Sequence, residues 1–233
     1  MKKLIIPALS FALLGFLPAC DDAGNKADSK ASIEVQKEKK EKKSDKKKVE
    51  DKIKSIEIGA QPEGLRFNVK DTDGNESELM SHAGDNGLLV IFSCNTCPFV
   101  VALGDRYNEV KEFADAAGVG TVLINSNEDF RDEDDSPEAM AAHAAELGYT
   151  MPYLVDEHHK IADDFRAKTT PHVFFFDAEG TLVYRGAIDD NYEDQSAVES
   201  YYIKDALAAF QAGETINPET TKALGCSIKR IKK

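Results

Sequence analysis

The 233-residue sequence predicts an α/β domain with a central mixed β-sheet flanked by helices. Three observations carry this prediction. Short apolar runs alternate with segments of helical period, the pattern of strands joined by crossover helices. One run, Leu88-Leu89-Val90-Ile91-Phe92, is continuously apolar, as a strand covered on both faces must be. Near the C-terminal end, two strand-like runs flank a short turn and precede a last helix, which gives the sheet an antiparallel part.

Taken in order, Leu65, Phe67 and Val69 alternate ahead of the turn signal Asp73-Gly74-Asn75. Ser77 to Ala83 reads as one or two helical turns. After the Leu88–Phe92 strand, a helix is predicted from Cys97 to Ala117, with Val100, Leu103, Tyr107, Val110 and Phe113 on one face, and Gly118-Val119-Gly120 ends it. Thr121 to Asn125 is the next strand. The acidic loop Asn127 to Asp135 has no metal-loop spacing and reads as solvated. Ser136-Pro137-Glu138 starts a helix with Pro at the first position, and Gly148 stops it. Met151 to Val155 is a strand and Ile161 to Ala167 a short helix. Pro171 to Phe176 and Leu182 to Tyr184 form a hairpin across Ala178-Glu179-Gly180, and a closing helix spans Ala197 to Ala212.

The length suits one core-bearing domain with appendages. The net charge of -13 conceals an asymmetry. Residues 1–54 hold 14 lysines and nine acids, a net of +5, which leaves -18 on the rest. So acidic a domain lacks the clustered Lys and Arg that phosphate neutralisation needs, and no nucleic-acid partner is expected. Residues 1–19 read as a secretory signal peptide. They comprise Met-Lys-Lys, an apolar run from Leu4 to Phe16 that is short for a bilayer span, and Leu17-Pro18-Ala19 before Cys20. Residues 20–55 form a charged, flexible linker too poor in large apolar side chains to offset the entropy of ordering. The α/β domain occupies residues 56–213, and residues 214–233 are a tail carrying Cys226.

Four scattered cysteines, Cys20, Cys94, Cys97 and Cys226, do not make a disulfide scaffold in a chain this long. Two of them stand three positions apart, and that spacing points to chemistry. Phe92-Ser93-Cys94-Asn95-Thr96-Cys97-Pro98 sits where a strand gives way to a helix. A sulfur at or just before a helix N-terminus meets unpaired N–H groups and the positive end of the dipole, which favour a thiolate. With Cys94 there and Cys97 one turn deeper and less exposed, the pair can attack a disulfide and then resolve the mixed disulfide. A zinc site and an inert disulfide are the alternatives. Structural zinc needs a second pair at similar spacing, and the sequence offers only Cys226 and the tandem His158-His159. Cys226 reads either as a third redox thiol folding back near Cys94 or as an idle, buried one. Thr169-Thr170-Pro171-His172 opens a strand where a missing N–H is tolerated. His172 reads as a partly buried neighbour of the site or as a group that steers substrate. Arg185, Asp189 and Asp190 read as a local ion pair and turn.

Cys-Asn-Thr-Cys-Pro-Phe at 94–99, Thr-Pro-His-Val-Phe at 170–174, the run from Tyr184 to Asn191 and Gly225-Cys226-Ser227-Ile228-Lys229 together resemble the thioredoxin superfamily. The resemblance is to its redoxin branch, the alkyl hydroperoxide reductase/thiol-specific antioxidant type. It implies a thioredoxin-like fold and a thiol:disulfide oxidoreductase with no cofactor and no metal. Cys94 would be the attacking thiol and Cys97 the resolving one. Pro171 would be a cis-proline, with Thr170 before it offering its backbone to an extended substrate. Partners would be protein disulfides or thiols and an unidentified reductant or oxidant. Leu17-Pro18-Ala19-Cys20 resembles a bacterial lipobox, which implies diacylglycerol on the Cys20 sulfur and a place in the bacterial cell envelope, anchored to the membrane on its periplasmic or extracytoplasmic face.

Three positions differ from relatives of this kind. Thioredoxins carry a buried acid six residues before the first Cys, where this chain has Leu88, and a Trp before the dithiol, where it has Ser93. Peroxiredoxins carry Thr or Ser three positions before their reactive Cys. That place before Cys94 is Ile91, which argues against peroxide as the main substrate. A thiol-dependent peroxidase and a non-enzymatic copper-binding lipoprotein are the other readings.

Overall fold

A computed structural model describes residues 55–231, all within one unit of the chain spanning residues 53–233. The signal segment, Cys20 and the linker up to residue 54 lie outside the described residues.

The Leu88–Phe92 run lies within strand β3 (Gly87–Ser93), where all seven residues are buried. It is flanked by β4 (Val119–Asn125), parallel to it, and by β7 (His172–Phe176), antiparallel. The other strands of this sheet are β1 (Asn68–Lys70), β2 (Glu76–Glu78), β5 (Tyr153–Val155) and β8 (Leu182–Gly186). Their order is β2-β1-β5-β4-β3-β7-β8, with β3, β4 and β5 parallel and the remaining pairs antiparallel. A second, two-stranded ladder pairs β6 (Thr169–Thr170) with β9 (Cys226–Ser227).

Strand side chains alternate between faces, and the sheet feeds two cores accordingly. Leu89, Ile91, Val173 and Phe175 face one core with Val100, Leu103, Tyr107, Ile203 and Leu207. Leu88, Val90, Phe92, Phe174 and Phe176 face the other with Leu79, Ile161, Phe165 and Ile228.

The helices show where periodicity misled. The single helix expected over Cys97–Ala117 is two, α1 (Pro98–Leu103) and α2 (Arg106–Ala116). Gly104 separates them at φ 53°, ψ -121°, a conformation that a Cβ would disfavour. Phe113 is 40% exposed, under the Lys204 ammonium, while Val100, Leu103, Tyr107 and Val110 are buried. Helix α3 (Pro137–Glu146) begins as predicted, with Ser136 Oγ accepting the Ala139 N–H at 3.2 Å. Helix α4 is limited to Lys160–Asp164. The closing helix α5 runs over Tyr202–Gln211; Gln195–Ala197 is a separate 3-10 turn rather than its start. Leu65 lies in a 3-10 turn, Glu63–Arg66, and the expected helix at Ser77–Ala83 divides into the end of β2 and a 3-10 turn, Leu79–His82.

Beyond α5 the chain returns across the sheet. Arg185 N–H donates to Glu219 O at 3.1 Å and Thr221 N–H to Arg185 O at 3.0 Å, along the outer edge of β8. The segment then reaches the β6 loop, pairs there as β9, and buries Ile228 in the second core.

Candidate redox site

Cys94 follows the last residue of β3. Cys97 is the N-cap of α1: its carbonyl accepts the N–H groups of Val100 and Val101, both at 2.9 Å. Pro98 at the first helical position gives up only an N–H that would be unbonded there anyway. The sulfur at the helix N-terminus is therefore that of Cys97, with Cys94 just before it as expected, which corrects the expectation that Cys97 would lie deeper in the helix. Nor is Cys97 the more hidden of the two: the exposures are 4% for Cys97 and 2% for Cys94.

Thr170 lies against both thiols. Its hydroxyl is 3.0 Å from Cys94 Sγ, and its carbonyl is 3.2 Å from Cys97 Sγ. The Thr170–Pro171 bond is cis, as the resemblance implied. Cys226 stands opposite Thr170 in the β6–β9 ladder and helps lower the proton affinity of Cys97. The tail thus comes to Cys97, not to Cys94. All three cysteines are free thiols.

Hydrogen bonds decide which sulfur holds the charge. The Cys94 thiol, then Cys226 S–H, Val100 N–H and Cys226 N–H, bring Cys97 down to about 4 against the opposing effect of burial. Cys94 is pushed up by the Cys97 sulfur first, then by burial and the Asp135 carboxylate, while the Thr170 hydroxyl opposes this. The Thr170 carbonyl beside Cys97 favours a protonated sulfur there. Donors around Cys97 favour its thiolate, and the neighbouring Cys97 sulfur together with burial favours the protonated form of Cys94.

The acidic loop is not simply solvated. Its last residue, Asp135, is fully buried. Oδ1 accepts Asn95 N–H at 2.9 Å and Asn125 Nδ2 at 2.8 Å, and Oδ2 accepts Asn127 Nδ2 at 2.8 Å. Tyr153 OH donates to Asn95 Oδ1 at 3.0 Å. This network fixes the turn between the two cysteines. Leu88 is buried and apolar, so the buried carboxylate acting on Cys94 is Asp135 instead. Sequence reasoning missed it; the polar triplet Asn125-Ser126-Asn127 directly after an apolar strand was the available cue, because buried polar groups need partners.

His172, at the start of β7, is buried against the Phe174 ring with Nδ1 unpartnered, and burial above all pushes it down to about 3. It is therefore neutral, and a poor proton donor. The expected pairing of Arg185 with Asp189 and Asp190 does not form. Asp189 pairs with buried Arg106 at 2.9 Å, and Arg185 faces Glu57 at 3.7 Å. Beside Pro171 lies a cavity of about 180 Å³ lined by Leu103, Ile188, Tyr192, Tyr202 and Leu224. Among the described residues, no three His, Cys, Asp or Glu side chains are grouped to hold a metal ion.

A mixed sheet with two thiols at the end of its central strand, closed over by the loop that opens the antiparallel neighbour, defines a thioredoxin-like thiol redox protein. Residues 62–185 match the AhpC/TSA family, and the chain belongs to it as a redoxin of the thioredoxin superfamily. Among solved structures, it is similar to an uncharacterized conserved protein of Geobacillus kaustophilus: 34% identity over 76% of this chain and 94% of that one, TM-score 0.69. A hypothetical protein of Sinorhizobium meliloti is 30% identical over 77% of this chain and 98% of that one, TM-score 0.68. A peroxidoxin of Mycobacterium tuberculosis shares the fold, at 14% identity over 69% of this chain and 97% of that one, TM-score 0.50. Among curated proteins, none matches the chain.

Proposed function

We propose that this redoxin is a thiol:disulfide oxidoreductase that acts on protein disulfides outside the cytoplasmic membrane, tethered there by lipid on Cys20. The observation that carries the reading is a pair of free thiols, Cys94 and Cys97, both held against Thr170 of the cis-proline loop, with donors around Cys97 favouring its thiolate. At neutral pH one sulfur is a nucleophile and its neighbour holds a proton to give. The donors around Cys97 favour it over Cys94 as the first attacker. The Cys97 thiolate opens the substrate disulfide, forming a mixed disulfide and releasing one substrate thiolate, which takes a proton from water. Cys94 then attacks the Cys97 sulfur, and its proton goes to the second substrate sulfur as that leaves. Two electrons pass to the substrate, and a separate reductant must reopen the Cys94–Cys97 disulfide. The cavity beside Pro171, lined by Tyr192, Tyr202 and Leu224 and also by Asp190 and Lys222, supports a polypeptide substrate, since it offers both apolar and polar side-chain contacts beside the cis-proline loop.

Equilibration in thiol buffers, with alkylated cysteines read by mass spectrometry, tests this. A reversible Cys94–Cys97 couple near about -270 mV supports reduction of substrates, and one near about -120 mV runs the same exchange as an oxidation. No reversible 94–97 disulfide at any poise ends the oxidoreductase reading.

A second reading, a thiol-dependent peroxidase, is favoured by one contact. The Thr170 hydroxyl lies 3.0 Å from Cys94 Sγ, so a hydroxyl stands beside the dithiol although Ile91 offers none. Peroxide consumption that is lost in both Cys94→Ser and Cys97→Ser would support it.

A further inference from the structure

We propose that Cys226 is a third redox thiol, which exchanges into disulfides formed by Cys97. The proposal rests on the redox activity of the Cys94–Cys97 pair and adds a second resolving thiol on the opposite side of Cys97.

The placement of Cys226 is built, not incidental. The approach is fixed on the outer edge of β8, where Thr221 Oγ1 accepts the Ala187 N–H at 2.9 Å and lies 2.7 Å from Tyr184 OH. Gly225 then brings the backbone down onto the Pro171 loop. A Cβ at 225 would collide with the Thr170 carbonyl, its carbon being 2.7 Å away, so the close approach depends on glycine. Beyond Cys226, Ile228 N–H donates to Lys168 O at 2.9 Å, Lys229 N–H to Asn127 Oδ1 at 2.8 Å, and Arg230 to Asp163 at 2.7 Å. Pinned on both sides, Cys226 pairs with Thr170, whose hydroxyl and carbonyl lie against Cys94 and Cys97, and packs on the core cluster that holds both. A thiol held in contact with its target reacts as an intramolecular partner, at an effective concentration that solution thiols do not reach.

The exchange balances without another reagent. Cys226 sulfur attacks Cys97 Sγ in a Cys94–Cys97 disulfide; the Cys97–Cys226 bond forms and the Cys94–Cys97 bond breaks. The proton lost by Cys226 ends on Cys94. When Cys97 is joined to a substrate sulfur, the same attack releases the substrate as a thiol and leaves a Cys97–Cys226 disulfide. Cys226 is pushed up to about 11 by burial and by Cys97, so it waits as a thiol and parts with its proton only during attack.

The test uses the full chain as Cys94→Ser and as Cys226→Ser, each equilibrated with glutathione disulfide and glutathione, quenched with acid, alkylated and sequenced by mass spectrometry. Glutathione disulfide supplies the oxidising equivalents. In Cys94→Ser, a Cys97–Cys226 link is expected to replace both free thiols, with the Cys97–glutathione adduct a minor species. In Cys226→Ser, Cys94–Cys97 should form as in the unaltered chain. A Cys94→Ser protein that accumulates only the glutathione adduct, while Cys226→Ser still forms its 94–97 disulfide, overturns the third thiol and leaves the oxidoreductase intact. Absence of the 94–97 disulfide in both the unaltered chain and Cys226→Ser strikes the underlying reading instead.

Discussion

Donors converge on Cys97 Sγ from Cys94, from Val100 N–H and from both the S–H and N–H of Cys226. A sulfur brought down to about 4 binds fewer protons than an ordinary thiol near 8.5 throughout the window between those values. Its thiolate should therefore persist through neutral pH and be lost only as pH falls through about 4. Acid titration of thiolate absorbance is expected to show one step there, absent in Cys97→Ser. In Cys226→Ala the step should move upward, because one S–H donor is gone while the N–H remains. A step that vanishes in Cys94→Ser and survives in Cys97→Ser would return the first attack to Cys94. The cysteine spacing was readable from the sequence, and so was the position of the helix start, since Pro98 marks it as Pro137 marks that of α3. Asp135 was not readable. It stands 40 positions from Asn95, and only the parallel return of β4 beside β3 brings them together.

Long apolar runs gave β3, β4 and β7 with little error because two covering layers leave few alternatives to a strand. Elements of two or three residues were another matter. Neither β6 nor β9 has a pattern of its own; each exists because the other lies opposite. The division of the Cys97–Ala117 segment at Gly104 escaped for a related reason, since a helical stripe continues in phase through Val100, Leu103, Tyr107 and Val110 on both sides of the break. The β6–β9 pairing makes a direct prediction. In Gly225→Ala the new methyl must push the tail away from the Thr170 carbonyl. A cost of about 1–3 kcal/mol is expected in urea unfolding, as for other overpacked sites. Cys226 in the native protein should also alkylate several-fold faster, because the half-buried thiol loses its cover. An unchanged alkylation rate would mean that the pairing is not what shields Cys226, and would weaken its assignment as a held redox thiol.

Charge divides the whole chain at about residue 54: +5 before it and -18 after it. An acidic domain is repelled by anionic lipid, whereas the lysines of the preceding segment are attracted to it, by roughly 1 kcal/mol each near the surface. Two forces could therefore hold this redoxin at a membrane: that attraction, and the lipid proposed on Cys20. They respond differently to salt. At about 1 M the Debye length is near 3 Å, so the lysine contribution is screened away, while the free energy of buried acyl chains, about 0.8 kcal/mol per methylene, is left in place. The expected result is that the protein stays with membranes through a high-salt wash and leaves only in detergent. Cys20→Ser should remove the lipid and convert it to a salt-extractable or freely released form. Release of the unaltered protein by salt alone would leave the lysines as the tether and end the anchor proposal. Retention of Cys20→Ser through the wash would place the attachment in the uncleaved apolar segment from Leu4 to Phe16.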